Sequence, residues 1–263
     1  MSDPGAATLV AHDVERCRAD NPGPLTLSGT NSWIVGRNPC WIVDPGPALP
    51  AHRDALLAAG AARGGIGGIA ITHDHGDHGE LAAALAADAG GVPVAAARHA
   101  DATVSLTGGE EFGPLRAIAV PGHAPDHLCF ATGQVCFTGD AVLGEGSVFL
   151  WPDPGALAGY LAALRRLLAE DFAVLAPGHG PLVTDPAGKL EGYLAHRLER
   201  ERGVIAALED GVRTVDGLLD AVWSDAPAVL RPAAALTLAA HLDKLDEEGR
   251  LPDDVERPAV PTL

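Results

Sequence analysis

The segment Ile71-Thr-His-Asp-His-Gly-Asp-His-Gly-Glu80 places three imidazoles and two carboxylates within six residues, directly after an apolar run and directly before a helical one. On an extended segment alternate residues share a side, so His73 and His75 can face one way while Asp77 and His78, entering a turn, address a neighbouring volume. Neutral imidazole and carboxylate suit zinc, with manganese or iron as alternatives. A set without thiolate fits a catalytic site that keeps open positions better than a closed structural one. Asp74 lies between these residues, should face away, and reads as structural.

Three further segments end an apolar run with a glycine turn that carries a ligand type: Val120-Pro-Gly-His123, Phe137-Thr-Gly-Asp140 and Ala176-Pro-Gly-His179-Gly180. Loops beyond strand ends are where rigid scaffolds hold their active sites. Any one of these histidines alone would be an ordinary hydrogen-bonded residue, and His12, His52, His99, His196 and His241 are read that way. Four segments in concert supply His73, His75, Asp77, His78, His123, Asp140 and His179, enough for two metal ions. Asp140 is the natural bridge because a carboxylate has two oxygens to share. Two divalent ions sharing a water would lower its pKa toward neutrality and supply hydroxide without a strong base, with Asp77 orienting it. Asp77 and Asp140 are therefore the catalytic candidates. This ligand set points to hydrolysis and leaves esters, thioesters, lactams and phosphodiesters open as substrates.

The elements that must position these loops are legible as β-branched or aromatic runs punctuated by Gly and Pro. Strands are expected at Asn31–Val35, Cys40–Val43, Ile69–Thr72, Leu115–Val120, Leu128–Ala131, Val135–Thr138 and Val174–Ala176. Helical spacing of Ala and Leu falls at Ala51–Ala59, Glu80–Ala89 and Ala156–Glu170. This mixture predicts an α/β (α+β) arrangement of two sheets covered outside by helices. Composition shifts after Gly180, where helices are expected over Lys189–Leu208, Thr214–Val222 and Pro232–Glu248. The expected division is a catalytic domain over 1–185 and a small helical domain over 186–263.

The chain of 263 residues carries a formal net charge of −17, which argues against a nonspecific nucleic-acid binder. Cys17, Cys40, Cys129 and Cys136 form no CxxC pair and read as reduced thiols. No run of apolar residues is long enough to span a bilayer, and Met1-Ser-Asp-Pro-Gly5 has no signal-peptide character, so a cytoplasmic protein without membrane partners is expected.

HxHxDH followed by PGH, GD and PGHG, in this order and spacing, resembles the metallo-β-lactamase superfamily over about residues 20 to 185. Within that stretch Asn21-Pro-Gly-Pro-Leu-Thr-Leu-Ser-Gly-Thr-Asn31, Pro121-Gly-His-Ala-Pro-Asp-His127 and Gly139-Asp-Ala-Val-Leu-Gly-Glu145 are similar to the branch containing the small β-lactamase-like endoribonuclease of animal mitochondria and its bacterial relatives. The resemblance implies a four-layer αββα sandwich, one metal on His73, His75 and His123, a second on Asp77, His78 and His179, and Asp140 bridging. It also implies that Asp44 buttresses the histidine loop and that His127, at a position shared with the glyoxalase II branch, supports the site. The C-terminal stretch resembles a winged-helix domain. Its second helix carries acids where a DNA reader would expose Arg, Lys or Asn, which disfavours a DNA-binding regulator and leaves a cap over the active-site groove.

The resemblance also narrows the chemistry. Common zinc β-lactamases use a Cys near the position of Asp140 and lack the counterpart of His78, and flavodiiron oxidoreductases carry Glu at the position of His75. The expectation is a dinuclear zinc hydrolase acting through a hydroxide shared by both ions, leaning to thioester or ester cleavage of a small molecule. Single-stranded RNA cleavage is the alternative, with Arg197 and Arg200 as candidate substrate contacts, although Glu199 and Glu201 suggest a solvated helix face there. A homodimer is compatible with all of this.

Overall fold

The computed structural model describes residues 4–260. Helix α1 (Pro4–Ala11) leads into a six-stranded sheet in which β1 (Val14–Arg18), β2 (Asn31–Val35), β3 (Cys40–Val43), β4 (Ile66–Ala70), β5 (Val94–Ala96) and β6 (Val104–Ser105) lie side by side in chain order. The first three strands pair antiparallel, and β3 to β6 run parallel. Parallel neighbours need crossovers. These are supplied by α2 (Pro50–Ala62) between β3 and β4, and by α3 (Gly76–Gly79) with α4 (Ala82–Asp88) between β4 and β5. A second sheet holds β7 (Glu111–Phe112), β8 (Leu115–Ala119), β9 (Leu128–Thr132) and β10 (Val135–Gly139) as an antiparallel meander. After α5 (Ala156–Ala169), β11 (Val174–Pro177) joins β10 in parallel.

Period-two alternation sorts the strand residues into layers. Trp33, Val35 and Val43 of the first sheet meet Leu128, Phe130, Val135, Phe137 and Val174 of the second in a shared central core. The intervening Ile34, Ile42 and Ile69 turn outward and pack on Leu56 of α2 and on Ala82 and Leu85 of α4. On the far side Ile118, Cys129, Cys136 and Leu175 pack under Leu157, Tyr160, Leu161 and Leu164 of α5. Helix, sheet, sheet and helix follow one another, which is the expected αββα sandwich. Each of these buried aliphatic or aromatic side chains contributes roughly 1.5–3 kcal/mol of transfer free energy.

Beyond β11 the chain is helical. Helix α6 (Pro186–Glu209) starts where Asp185 accepts a hydrogen bond from the Gly188 N–H at 3.0 Å, with Pro186 inside its first turn. Its first half packs Leu190 and Tyr193 into the core beneath α5, and its second half turns Val204, Ala207 and Leu208 into a separate small core. That core is completed by α7 (Val215–Val222), capped by Thr214, and by α8 (Arg231–Glu247). Among the described residues no β-strand follows Pro177.

Several local expectations shift. The strand expected over Ile69–Thr72 ends at Ala70, because the Thr72 N–H bonds the Asp44 side chain instead of a neighbouring strand. The helix expected over Glu80–Ala89 is observed as α4, Ala82–Asp88, and a separate short turn of helix, α3, precedes it within the histidine segment. Helix α1 and strands β1, β5, β6 and β7 were not anticipated. β1 carries Glu15, Arg16 and Arg18 with little apolar alternation, as a half-exposed edge strand can. Among the described residues no helix is long and apolar enough to cross a membrane.

Candidate metal centre

Asp44 organises the site from below. It follows β3 with φ 53°, a left-handed conformation that Asp tolerates better than most residues, and it is fully buried. Its Oδ1 accepts from the Thr72 N–H at 2.8 Å, and its Oδ2 accepts from the Thr72 hydroxyl at 2.9 Å and from His78 Nδ1 at 2.8 Å. The hydroxyl of Thr72, having given its proton to Asp44, accepts from His73 Nδ1 at 3.0 Å. One carboxylate thus fixes two imidazoles with Nε2 turned outward. This buttressing geometry is what the resemblance implied for Asp44.

His123 is oriented by the Phe149 carbonyl, which accepts from Nδ1 at 3.2 Å, and His179 by the Gly29 carbonyl at 3.4 Å. Gly178 lets that last loop close on the site, since a Cβ there would stand 2.6 Å from His78 Cε1 and 2.9 Å from Asp140 Oδ1. Asn31, buried at the start of β2, ties the same loop down by donating from Nδ2 to the carbonyls of Pro177 at 2.9 Å and Gly180 at 3.0 Å. Sequence reasoning missed Asn31. Its only signal was a polar residue heading an otherwise apolar strand.

All seven expected ligands converge. His73 Nε2 lies 2.8 Å from His75 Nδ1, which lies 3.2 Å from His123 Nε2. On the other side His179 Nε2 lies 3.1 Å from Asp77 Oδ2, and His78 Nε2 lies 3.7 Å from the same oxygen. Asp140 stands between the two groups. Its Oδ1 is 3.5 Å from His78 and 3.4 Å from His179, and its Oδ2 is 3.7 Å from His123. Ligand atoms of His73, His75 and His123, and of Asp77, His78 and His179, each gather within 4.8 Å of one another.

These residues fit a divalent cation. With the Nδ1 protons of His73 and His123 committed elsewhere, two Nε2 lone pairs face one His75 nitrogen that can donate to only one of them. His78 Nε2 and Asp140 Oδ1 are buried without a hydrogen-bond partner. Orphaned buried polar atoms of this kind are costly unless an ion or water satisfies them.

The electrostatics agree. Burial, reinforced by neighbouring imidazoles, holds His73 well below its usual pKa, and burial pushes His123 down to about 4 against the pull of Asp140, so both are neutral ligands at pH 7. His179 goes the other way. Burial opposes its charge, but the hydrogen bond and charge of Asp140, aided by Asp77, push it up to about 9. Burial also disfavours ionised Asp77 and Asp140, yet His179 and His78 hold both below the usual carboxylate range. In the absence of an ion, protons on His78 and His179 supply the positive charge that the carboxylates demand.

His127 supports the site. Its Nε2 accepts from the Asp140 N–H at 3.1 Å, and its ring stacks on His73 with centroids 4.8 Å apart. Asp74 points away as expected, its N–H donating to Asp126 at 3.0 Å and its carboxylate 3.7 Å from Arg98.

A cavity of about 690 Å³ opens onto His123 and Asp140 and extends between the loop after β10, helices α6 and α8, and the segment that joins α7 to α8. Leu25, Leu143, Phe149, Tyr193, Trp223 and Leu230 give it a largely apolar wall. Arg197 and Arg200 reach this wall as well, but Arg200 is paired, and Arg197 is buried with one Nη bonded and its Nε left without a partner. Arg197 is 1% exposed, bonds the Val148 carbonyl and lies over the Tyr160 ring, so it is not the solvated helix face its neighbours suggested. It is buried because α6 is packed on both sides. Arg200 pairs with both Asp225 oxygens at 2.9 and 2.8 Å and covers Trp223. Lys189 and Tyr193, two turns and one turn before Arg197 on α6, also grip the loop after Asp140. Lys189 Nζ donates to the Gly144 carbonyl at 3.2 Å, and the Tyr193 hydroxyl donates to Gly146 at 3.0 Å.

Comparison with known proteins decides the family. The Metallo-beta-lactamase superfamily profile matches residues 91–179, and the Beta-lactamase associated winged helix domain profile matches 214–255. A Beta-lactamase-like protein 2 homolog from Drosophila melanogaster is 30% identical, covering 94% of this chain and 92% of its own length. The chain belongs to the metallo-β-lactamase superfamily. It is accordingly a metal-dependent hydrolase, and its relatives include the branch that the motifs resemble. The Atrochrysone carboxyl ACP thioesterase dmxR1 from a Cryptosporiopsis species is 32% identical over 74% of this chain, which spans 63% of that protein's length. The crystal structure of the metallo-β-lactamase family protein TTHA1429 from Thermus thermophilus superposes with a TM-score of 0.73 at 24% identity, covering 90% of this chain and 94% of that one. Fold is thus shared over both the sandwich and the helical region.

Proposed function

We infer that this metallo-β-lactamase-family chain hydrolyses a thioester, or a comparable ester, of a small acyl group, with two divalent ions at the histidine–aspartate centre and zinc as the metal. The observation that carries this reading is the apolar cavity leading from His123 and Asp140 into the helical region, which suits an acyl chain rather than a charged strand. The thioesterase name of one relative supports it. The candidate holders are His73, His75 and His123 for one ion and Asp77, His78 and His179 for the other, with Asp140 shared. When bound, such ions supply Lewis acidity and make water acidic enough to attack at neutral pH.

The chain's own groups do the rest. Asp77 is ionised, 30% exposed at its side chain and held on one side by His179, so it can orient the attacking water and accept its proton. The cavity wall of Leu143, Phe149 and Trp223 excludes bulk water and holds the acyl tail beside His123. No general acid is required for a departing thiolate, whose conjugate acid has a pKa of about 8.5. His127, whose Nε2 accepts from the Asp140 N–H, then serves to hold the Asp140 backbone.

The burial of Arg197 and the pairing of Arg200 with Asp225 weigh against RNA as substrate. The test is turnover of the zinc-loaded protein on an acyl-thioester and on a short fluorogenic single-stranded RNA, each beside Asp77→Ala. Thioester cleavage that vanishes in the variant is expected. RNA cleavage alone, lost in the same variant, would replace this reading.

A further inference from the structure

The helical region does more than wall the cavity. Leu150, in the loop between Asp140 and α5, donates its N–H to Thr237 Oγ1 of α8 at 3.1 Å, in a fully buried contact. The Thr237 hydroxyl in turn donates to the Ala233 carbonyl one turn earlier at 3.2 Å. The N–H of Leu150 belongs to the same peptide group as the carbonyl of Phe149, and that carbonyl accepts from His123 Nδ1. A single amide therefore joins α8 to an imidazole of the metal centre. The Phe149 ring also stands edge-on to the His123 ring, with centroids 4.7 Å apart.

We propose that Thr237 is a positioning residue for His123, acting through the Phe149–Leu150 peptide to fix the ring's tautomer and direction. The physical basis is cooperative. An amide whose N–H is bonded to a hydroxyl is polarised, and its carbonyl becomes a stronger acceptor. A firmer bond at Nδ1 holds the proton there, keeps the Nε2 lone pair on His75 and the Asp140 side, and makes the imidazole a better ligand. Val148 is anchored one residue earlier by Arg197, so α6 limits drift of the loop while α8 sets the amide's orientation. Thr237 also lines the cavity, so the relay is read from metal affinity and from the His123 ring rather than from turnover.

This inference rests on the reading of His123 as a metal ligand, and its test separates the two. Thr237→Val keeps shape and removes both hydrogen bonds, whereas Thr237→Ser restores the hydroxyl. Zinc affinity measured by competition with a chromophoric chelator should fall about tenfold in Thr237→Val, the lower end expected for losing an outer hydrogen-bonded partner, and recover to within about twofold in Thr237→Ser. The His123 Nδ1–H resonance in the metal-loaded protein should move in Thr237→Val and return in Thr237→Ser, with unfolding followed in parallel to confirm that all samples are folded. Wild-type affinity and an unmoved resonance in Thr237→Val would overturn the relay. Equal losses in the Ser and Val variants would overturn it too, by showing that packing alone is responsible. His123→Ala is the separate control. Unchanged zinc binding in that variant would refute the ligand assignment itself, whereas loss there with wild-type behaviour in Thr237→Val would refute only the relay.

Discussion

The cavity has two walls of opposite character. On the sandwich side the cavity meets the metal centre at His123 and Asp140; behind them His73, His78 and His179 are buried like His123, and each of the four has one ring nitrogen fixed by Thr72, Asp44 or a backbone carbonyl. On the helical side the wall is apolar, and the charges around it are spent on local pairs such as Arg200 with Asp225. The outer surface of the helical region is laced with exposed pairs, Arg231 with Asp216 and Asp220 and Arg257 with Asp243 and Asp246. Such pairs contribute little individually. The chemistry is therefore held by an over-determined surface, and selectivity by one that rests on a small core. Substitutions on the first should remove rate and metal, and those on the second should redistribute substrates.

The largest break in that division is expected at Asp77. Asp77→Ala should lower kcat on a thioester by about a thousandfold, within the range for removing a proton-accepting group, with the melting temperature unchanged. A folded, metal-replete variant with wild-type turnover would refute the assignment. Asp44→Ala should come next. It strands the Thr72 N–H, its hydroxyl and His78 Nδ1 in the interior, so metal affinity should fall roughly 10- to 100-fold and the fold should weaken by about 3 kcal/mol. Chelator competition and denaturant unfolding would measure both, and loss of neither would remove Asp44 from the site. Leu25, on the loop between β1 and β2, is 56% exposed and belongs to the apolar lining of the cavity rather than to the metal-holding loops. Leu25→Ala should raise KM for long acyl chains about fivefold, a fraction of a buried leucine's transfer energy, and leave kcat and short chains alone. A matching drop in kcat would blur the two-wall distinction.

That same division governs what could be read from the residues alone. The metal loops were legible because each follows a short apolar run, and those of His123, Asp140 and His179 place a glycine directly before the ligand, so backbone geometry and chemistry are written in the same few residues. Asp44 and His127 were reached only through the family resemblance, since a lone buried carboxylate or imidazole has no local signature. Thr237, Lys189 and Tyr193 had none either. Their roles come from meeting the loop after Asp140 across a wide separation in sequence, and helical periodicity reports only that they lie on a buried face. Arg197 shows the failure most plainly. Its flanking Glu199 and Glu201 look like a solvated charge pattern, yet the packing of α6 on both sides buries it.

A change in pH would sharpen the contrast by asking which wall responds to it. In the metal-free protein the folded state holds a proton on His179 up to about pH 9, whereas the unfolded chain releases it near 6.5. The folded pKa is raised, so this contribution is fully present below pH 6.5 and is lost as pH climbs to about 9. Its upper size is about 3 kcal/mol, less whatever the neighbouring carboxylates give back as they readjust. His123 acts at the other end. Its folded pKa of about 4 means that stability present above pH 6.5 drains away as pH falls toward 4. The metal-free melting temperature should therefore peak near pH 6.5 and decline on both sides. With zinc bound, the ion replaces the protons on His78 and His179, and the alkaline decline should disappear. A metal-free melting temperature that stays flat from pH 6.5 to 9 would mean that the carboxylates do not hold these protons, and the electrostatic case for a cation at this wall would fall with it.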